Sequence, residues 1–209
     1  MKIECYGGAG YESNCYLLTD DAESGALVVD PSVDVRTVFR QRQKTLPPVC
    51  GLVLTHAHFD HMLALDDWRR QYGAPLYVGQ ADAPALGNPE ASLFRMVFSD
   101  EKTFAPAERL LREGDVLQVG EETLTVLTTP GHTPGGVCLL GGGFLLSGDT
   151  LFAGGDYGRT DFSGGNAAAL AASLSRLARL PDDLVVYPGH GGETTIGREK
   201  RQNPYLTND

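Results

Sequence analysis

The chain is poor in several things, and each shortage excludes a class of protein. No stretch of its 209 residues approaches the ~18 consecutive apolar residues of a membrane span. The opening MKIECYGGAGYESN lacks the charged-then-apolar pattern of a secretory leader, so a cytoplasmic protein is expected. Basic residues are scarce: 17 Lys and Arg stand against 27 Asp and Glu, for a formal net charge of −10. The densest basic cluster is the short GREKR near the C-terminus, so the basic stripe that neutralises nucleic-acid phosphates is missing and no nucleic-acid or membrane partner is expected. Cysteine is limited to Cys5, Cys15, Cys50 and Cys138, and none forms a C-x-x-C pair. All four lie in apolar, strand-like runs, where free cysteine is expected as a buried small hydrophobe without disulfides. A chain of this length can bury a core without such staples, and one domain over residues 1–209 is expected.

What is present alternates between strand and helix signals. KIECY, SNCYLLT and ALVVD read as strands parted by turn residues, and VDVRTVFRQRQ follows at helical spacing. VCGLVLT (49–55) reads as a buried strand running into HAHFDH, and MLALDDWRRQY as a helix stopped by Gly73 before the strand PLYV. Residues 80–112 carry four scattered turn-forming residues, Pro84, Gly87, Pro89 and Pro106, and are expected as short helices and loop that cover a site. TLTVLTT (123–129) is a strand ending at Pro-Gly-His, and GGVCLL with FLLSGD forms a hairpin about Gly141–Gly143. NAAALAASLSRLARL places Leu170, Leu174, Leu177 and Leu180 on one helical face and is stopped by Pro181. DLVVYPGH repeats the pattern of strand, turn and histidine, and a last helix lies around IGREKRQ. Strands alternating with helices, in a loose two-fold pattern, argue for a layered α/β architecture.

Four of these strands end in metal-competent side chains. VCGLVLT delivers His56, His58, Asp60 and His61; TLTVLTT delivers His132; FLLSGD delivers Asp149; and LVVYPGH delivers His190. Sites in layered α/β folds gather at the carboxyl ends of strands, so seven such groups converge naturally on one sheet edge. Imidazole and carboxylate are the ligands of borderline divalent metals such as zinc, iron or manganese. All five histidines of the chain fall in these slots, which chance does not explain.

At THAHFDH (55–61), TPGHTPGG (129–136), LLSGDTLF (145–152) and YPGHGGETTIG (187–197) the chain resembles the metallo-β-lactamase superfamily. LVVDPS (27–32) extends the likeness to an early strand, and GRTD beside the other motifs is similar to the small members of the glyoxalase II-like, hydroxyacylglutathione hydrolase-type branch. The resemblance implies an αββα sandwich with its site at one edge. It implies two divalent metal ions, zinc foremost: His56, His58 and His132 for one, Asp60, His61 and His190 for the other, and Asp149 bridging. It further implies hydrolysis of a small thioester such as S-D-lactoylglutathione by a water activated between the metals, with Asp60 handling protons. Histidine at position 58 and aspartate at position 149 depart from the diiron flavoprotein branch and from the β-lactamases with a cysteine ligand. The chain ends soon after His190, so a loosely held thiol half is expected.

Other residues have both a functional and an ordinary reading. Asp30, at a strand end, either orients a ligand histidine or caps a turn. Tyr157 and Arg159 face a substrate, or Arg159 pairs with Asp161 to hold its loop. Arg198, Lys200 and Arg201 meet an anionic tail, or form a solvated helix face. Phe94, Met96 and Phe98 line a pocket, or pack in the core. The alternatives to a thioesterase are another hydrolase of the superfamily, acting on a lactone, lactam or phosphoester, and a persulfide dioxygenase using one iron at His56, His132 and Asp149.

Overall fold

Two six-stranded sheets carry the chain, each built by one half of it. The structure is a computed structural model that describes residues 1–7, 10–99 and 101–206. In the first sheet β1 (Lys2–Tyr6), β2 (Cys15–Thr19) and β3 (Ala26–Val29) are antiparallel. β3 then runs parallel to β4 (Val49–Leu54), β4 to β5 (Leu76–Gly79), and β5 to β6 (Arg109–Leu111). Parallel neighbours need crossovers. Helix α1 (Val35–Arg42) supplies the first and α2 (Leu65–Tyr72) the second; α3 (Phe94–Phe98) lies in the third. The second sheet begins as an antiparallel meander of β7 (Val116–Val119), β8 (Glu122–Thr128), β9 (Val137–Leu140) and β10 (Phe144–Gly148). Helix α4 (Ala167–Leu177) then crosses to the parallel strand β11 (Val185–Pro188), which β12 (Thr194–Thr195) closes before α5 (Ile196–Lys200).

Side-chain alternation sorts these strands into four layers. Tyr16, Leu18, Leu27, Val29 and Val53 of the first sheet form one cluster with Leu124, Val126, Val137, Leu139 and Leu146 of the second. Their strand neighbours Leu17, Val28, Leu52 and Leu54 point the other way, into a cluster with Val38, Leu65 and Trp68 of α1 and α2. Cys138, Leu145 and Val186 likewise face Leu170, Leu174 and Leu177 of α4. Each fully buried leucine contributes about 1.5–3 kcal/mol. The αββα sandwich therefore follows from which alternate residue of each strand is apolar. Among the described residues no helix is long and apolar enough to cross a membrane.

Several expectations need correction. Helix α4 ends at Leu177, so Leu180 lies beyond it and only half-buried, and Ala178 takes the buried place. The segment after His61 makes a turn before α2 starts at Leu65 rather than continuing as helix. Cys15 and Cys138 are buried, whereas Cys5 and Cys50 are exposed near the first sheet's edge and outer end. Strands β6, β7 and β12 are short and were not distinguishable as strands.

Candidate functional site

All seven metal-competent residues meet at one edge of the sandwich. His56, His58, Asp60 and His61 follow β4; the last two lie in a single 3₁₀ turn, Phe59–His61. His132 follows β8, Asp149 follows β10 and His190 follows β11. The shared Pro-Gly-His of the two later histidines has a steric cause. A Cβ at Gly189 would lie 2.2 Å from Asp149 Oδ1, and Gly131 adopts φ +143° with a Cβ position 2.3 Å from the backbone nitrogen of Leu170 in α4. Only glycine lets both turns approach so closely.

The donor atoms fall into overlapping groups. One atom each of His56, His58 and His132 lies within 4.8 Å of the others, as do those of Asp60, His61 and His190, and those of His56, His61 and Asp149. Asp149 spans the set: Oδ1 is 3.3 Å from His61 Nε2, and Oδ2 is 3.6 Å from His132 Nε2 and 3.7 Å from His190 Nε2. Five of the ten buried side-chain nitrogen and oxygen atoms without a hydrogen-bond partner among the described residues belong to His56, His58, His61 and Asp149. Buried polar atoms are nearly always satisfied, so this concentration marks a place shaped for a cation.

Surrounding residues set the ring orientations. His132 Nδ1 donates to the carbonyl of Arg159 at 2.7 Å, which leaves its Nε2 lone pair facing the cluster. Thr55 donates its hydroxyl to Asp30 at 2.7 Å, so its oxygen is free to accept from His56 Nδ1 at 3.3 Å and to turn His56 Nε2 inward. Asp30 also accepts the backbone N–H of Thr55 at 2.7 Å, and its Oδ2 lies 2.9 Å from His61 Nδ1, close though not aligned as a hydrogen bond. It holds this place in the left-handed region, φ +51°, which aspartate tolerates better than most side chains. Asp30 thus lies beside a cluster histidine while its hydrogen bonds go to Thr55.

Electrostatics divides the imidazoles. Burial and the neighbouring rings push His56 well below the ordinary range and His58 down to about 3. Burial would lower His61 as well, but the carboxylates of Asp30, Asp149 and Asp60 outweigh it and raise the ring well above its ordinary value. Asp149 is held at about 2 despite burial, chiefly by His61. His190 is raised by its 3.0 Å contact with Asp60, whose carboxyl is lowered in turn against burial. The site thus sets the neutral, lone-pair-bearing rings of His56 and His58 beside ionised carboxylates that attract positive charge onto His61 and His190, an arrangement suited to a divalent cation.

A cavity of about 740 Å³ opens onto it. Tyr157 and Arg159 line this cavity, while Arg198 is exposed on α5 and is not among its lining residues. Arg159 donates two 2.6 Å hydrogen bonds to Asp161, so the loop-holding reading describes its side chain. Met96 lines the wall, Phe94 packs in the core and Phe98 is exposed.

Two buried carboxylates escaped the sequence. Asp82 accepts from Ala57 N, Thr133 Oγ1 and Gly135 N at 3.2, 2.7 and 2.6 Å, which ties the loop of His56 and His58 to that of His132. Glu199 accepts from Gly154 N and Gly155 N at 3.1 and 2.7 Å and from Thr194 Oγ1, fixing the loop that walls the cavity. Neither stands in a metal-ligand pattern: Asp82 is an acid between two alanines, which was a weak signal, whereas Glu199 lies in the charged run GREKR and carried none.

A family model describing the metallo-beta-lactamase superfamily matches residues 8–190. The chain belongs to this superfamily. Among curated relatives it is 37% identical to the probable metallo-hydrolase YqgX of Bacillus subtilis, over 93% of this chain and 92% of that one. It is 32% identical to the hydroxyacylglutathione hydrolase GloC of Haemophilus influenzae, over 99% and 98%. Among solved structures it resembles BLEG-1 B3 metallo-beta-lactamase, at 34% identity and TM-score 0.88 over 99% of this chain and 100% of that one. It also resembles TTHA1623 in a di-iron-bound form, at 32% identity and TM-score 0.81 over 98% and 100%. Membership in this superfamily supports a metal-dependent hydrolase, and the His and Asp cluster fits metal binding.

Proposed function

We propose that the protein is a binuclear metal-dependent thioesterase acting on hydroxyacyl or related small thioesters. The observation that carries this reading is Asp149, whose two oxygens reach toward histidines of both donor groups. His56, His58 and His132 would hold one ion, Asp60, His61 and His190 the second, with Asp149 shared. The nitrogen and oxygen donors suit zinc, iron or manganese, and the di-iron form of TTHA1623 supports a pair. Two such ions, when bound, lower the pKa of a shared water and take up negative charge developing on a carbonyl oxygen.

The chain's own part is orientation and proton handling. Asp30, Thr55 and the Arg159 carbonyl fix the rings of His61, His56 and His132. Asp60, hydrogen-bonded to His190 on the cavity side, holds a carboxylate oxygen where a proton released from water is accepted. Hydrolysis forms a carbon–oxygen bond, breaks the carbon–sulfur bond, and returns the proton to the leaving thiolate. The likeness to GloC supports a thioester as the substrate class.

The test is a panel of substrates assayed with chelated and with metal-reloaded protein: S-D-lactoylglutathione, other thioesters, a lactone, a β-lactam, a phosphodiester, and glutathione persulfide with oxygen. Thioester turnover that disappears on chelation and returns on reloading is expected. Turnover of another member of the panel, with thioesters cleaved no faster than by free metal, overturns the thioesterase reading and leaves the fold and the cluster standing.

A further inference from the structure

The cavity walls are apolar where they surround the donor cluster. Phe162 stands with its ring centroid 6.2 Å from that of His58, and Phe152 stands 6.2 Å from His190, so an aromatic face lies beside each donor group. Phe59 and Leu93 continue the wall, and Leu93 is held at φ +65°, a conformation a leucine rarely adopts. At the mouth the wall becomes an exposed shelf. Met96 is 58% exposed, Phe98 43% and Tyr11 62%, and Phe98 packs edge-on against both Tyr11 (5.8 Å) and Phe59 (5.5 Å). Three large apolar side chains left in water beside a reaction site form a surface that an apolar ligand covers.

The charges of the wall point the same way. Apart from the donor cluster, its only charged residues among the described residues are Asp156 and Arg159. Arg159 is committed twice, to Asp161 through two 2.6 Å hydrogen bonds and to the face of Phe162 at 4.0 Å. Glutathione brings two carboxylates and one ammonium, and among the described residues this wall offers no uncommitted cation outside the donor cluster to receive the carboxylates.

The geometry points to a substrate class narrower than the thioesterase reading on which it rests: uncharged thioesters or esters that carry an aliphatic or aryl substituent, seated on the shelf of Tyr11, Phe59, Met96 and Phe98. Burying a methylene on a partly open apolar surface raises kcat/KM about two- to threefold. Four methylenes then give roughly 15- to 80-fold.

The experiment measures kcat/KM for the metal-loaded protein along two series, acyl thioesters of N-acetylcysteamine from acetyl to hexanoyl and acetyl thioesters of neutral alkyl thiols. S-D-lactoylglutathione is the charged reference. A steep rise along at least one series is expected, ending at least about tenfold above lactoylglutathione. Met96→Ser and Phe98→Ser should flatten the rise. Val116→Ser, which alters an equally exposed apolar residue (61%) on β7, should leave it intact. Circular dichroism and metal content keep misfolding apart from loss of the shelf. Flat series with lactoylglutathione the best substrate overturn the inference while the thioesterase reading stands. Absence of any thioester turnover sinks that reading itself. A rise that survives both shelf substitutions removes the shelf as its cause.

Discussion

At the scale of the residue, the same burial that makes His56 and His58 good donors makes them poor bases. In metal-free protein His56 and His58 stay neutral well below the ordinary imidazole value, whereas the unfolded chain protonates both near pH 6.5. Between pH 6.5 and 5 the unfolded state therefore binds more protons, and stability falls as pH falls, by up to about 1.4 kcal/mol per pH unit for each ring. His61 has the opposite sign: its contribution is fully present below pH 6.5 and is lost as pH rises through its raised folded value, so it adds nothing to the slope in this window. Asp60 and Asp149, both lowered, act only below about pH 3.8. Urea midpoints of chelator-treated protein should drop across this window, and His58→Asn should make the drop about half as steep. A midpoint that stays constant, or an unchanged slope in the variant, contradicts these assignments. The seven donors were legible because their chemistry is rare: a chain with only five histidines places every one at a strand end. Asp82 and Glu199 were not, because carboxylates are common and only tertiary packing makes these two buried acceptors of backbone N–H groups.

At the scale of the element, legibility followed burial. Strands with both faces covered, such as CYLLT and FLLSG, are continuous apolar runs and were read correctly. β6, β7 and β12 are edge strands of their sheets and run only two to four residues, too short for a period to stand out. The end of α4 was overrun because Leu180 continues the leucine spacing, while the chain turns away after Ala178 toward Pro181. Helix α5 is short, yet it controls the cavity wall through Glu199, which it buries completely. Glu199→Ala leaves Gly154 N and Gly155 N without their acceptor and should cost about 1–3 kcal/mol in stability. Glu199→Gln, which keeps one acceptor oxygen, should cost less. Thermal unfolding of the two variants checks the order, and faster proteolysis within residues 153–157 is expected in the alanine variant. Two variants as stable as the parent would mean that α5 does not hold this loop.

At the scale of the molecule, two half-chains each build a sheet, and their strand ends bring the donors to one edge. Strand–helix alternation made the layered class legible, and the family motifs supplied the αββα arrangement. How the sheets face each other depends on alternate side chains of distant strands, such as Leu18 and Leu139, that no local window compares. The central claim is that this edge holds two ions through residues of both halves. Titrating chelator-stripped protein with zinc, followed by calorimetry and elemental analysis, tests it most directly. Two ions per chain are expected for the parent, and one for His132→Ala, whose loss removes a donor from the first group alone. Saturation of the parent at a single ion, or two ions retained with unchanged affinity in His132→Ala, would contradict the two-metal account.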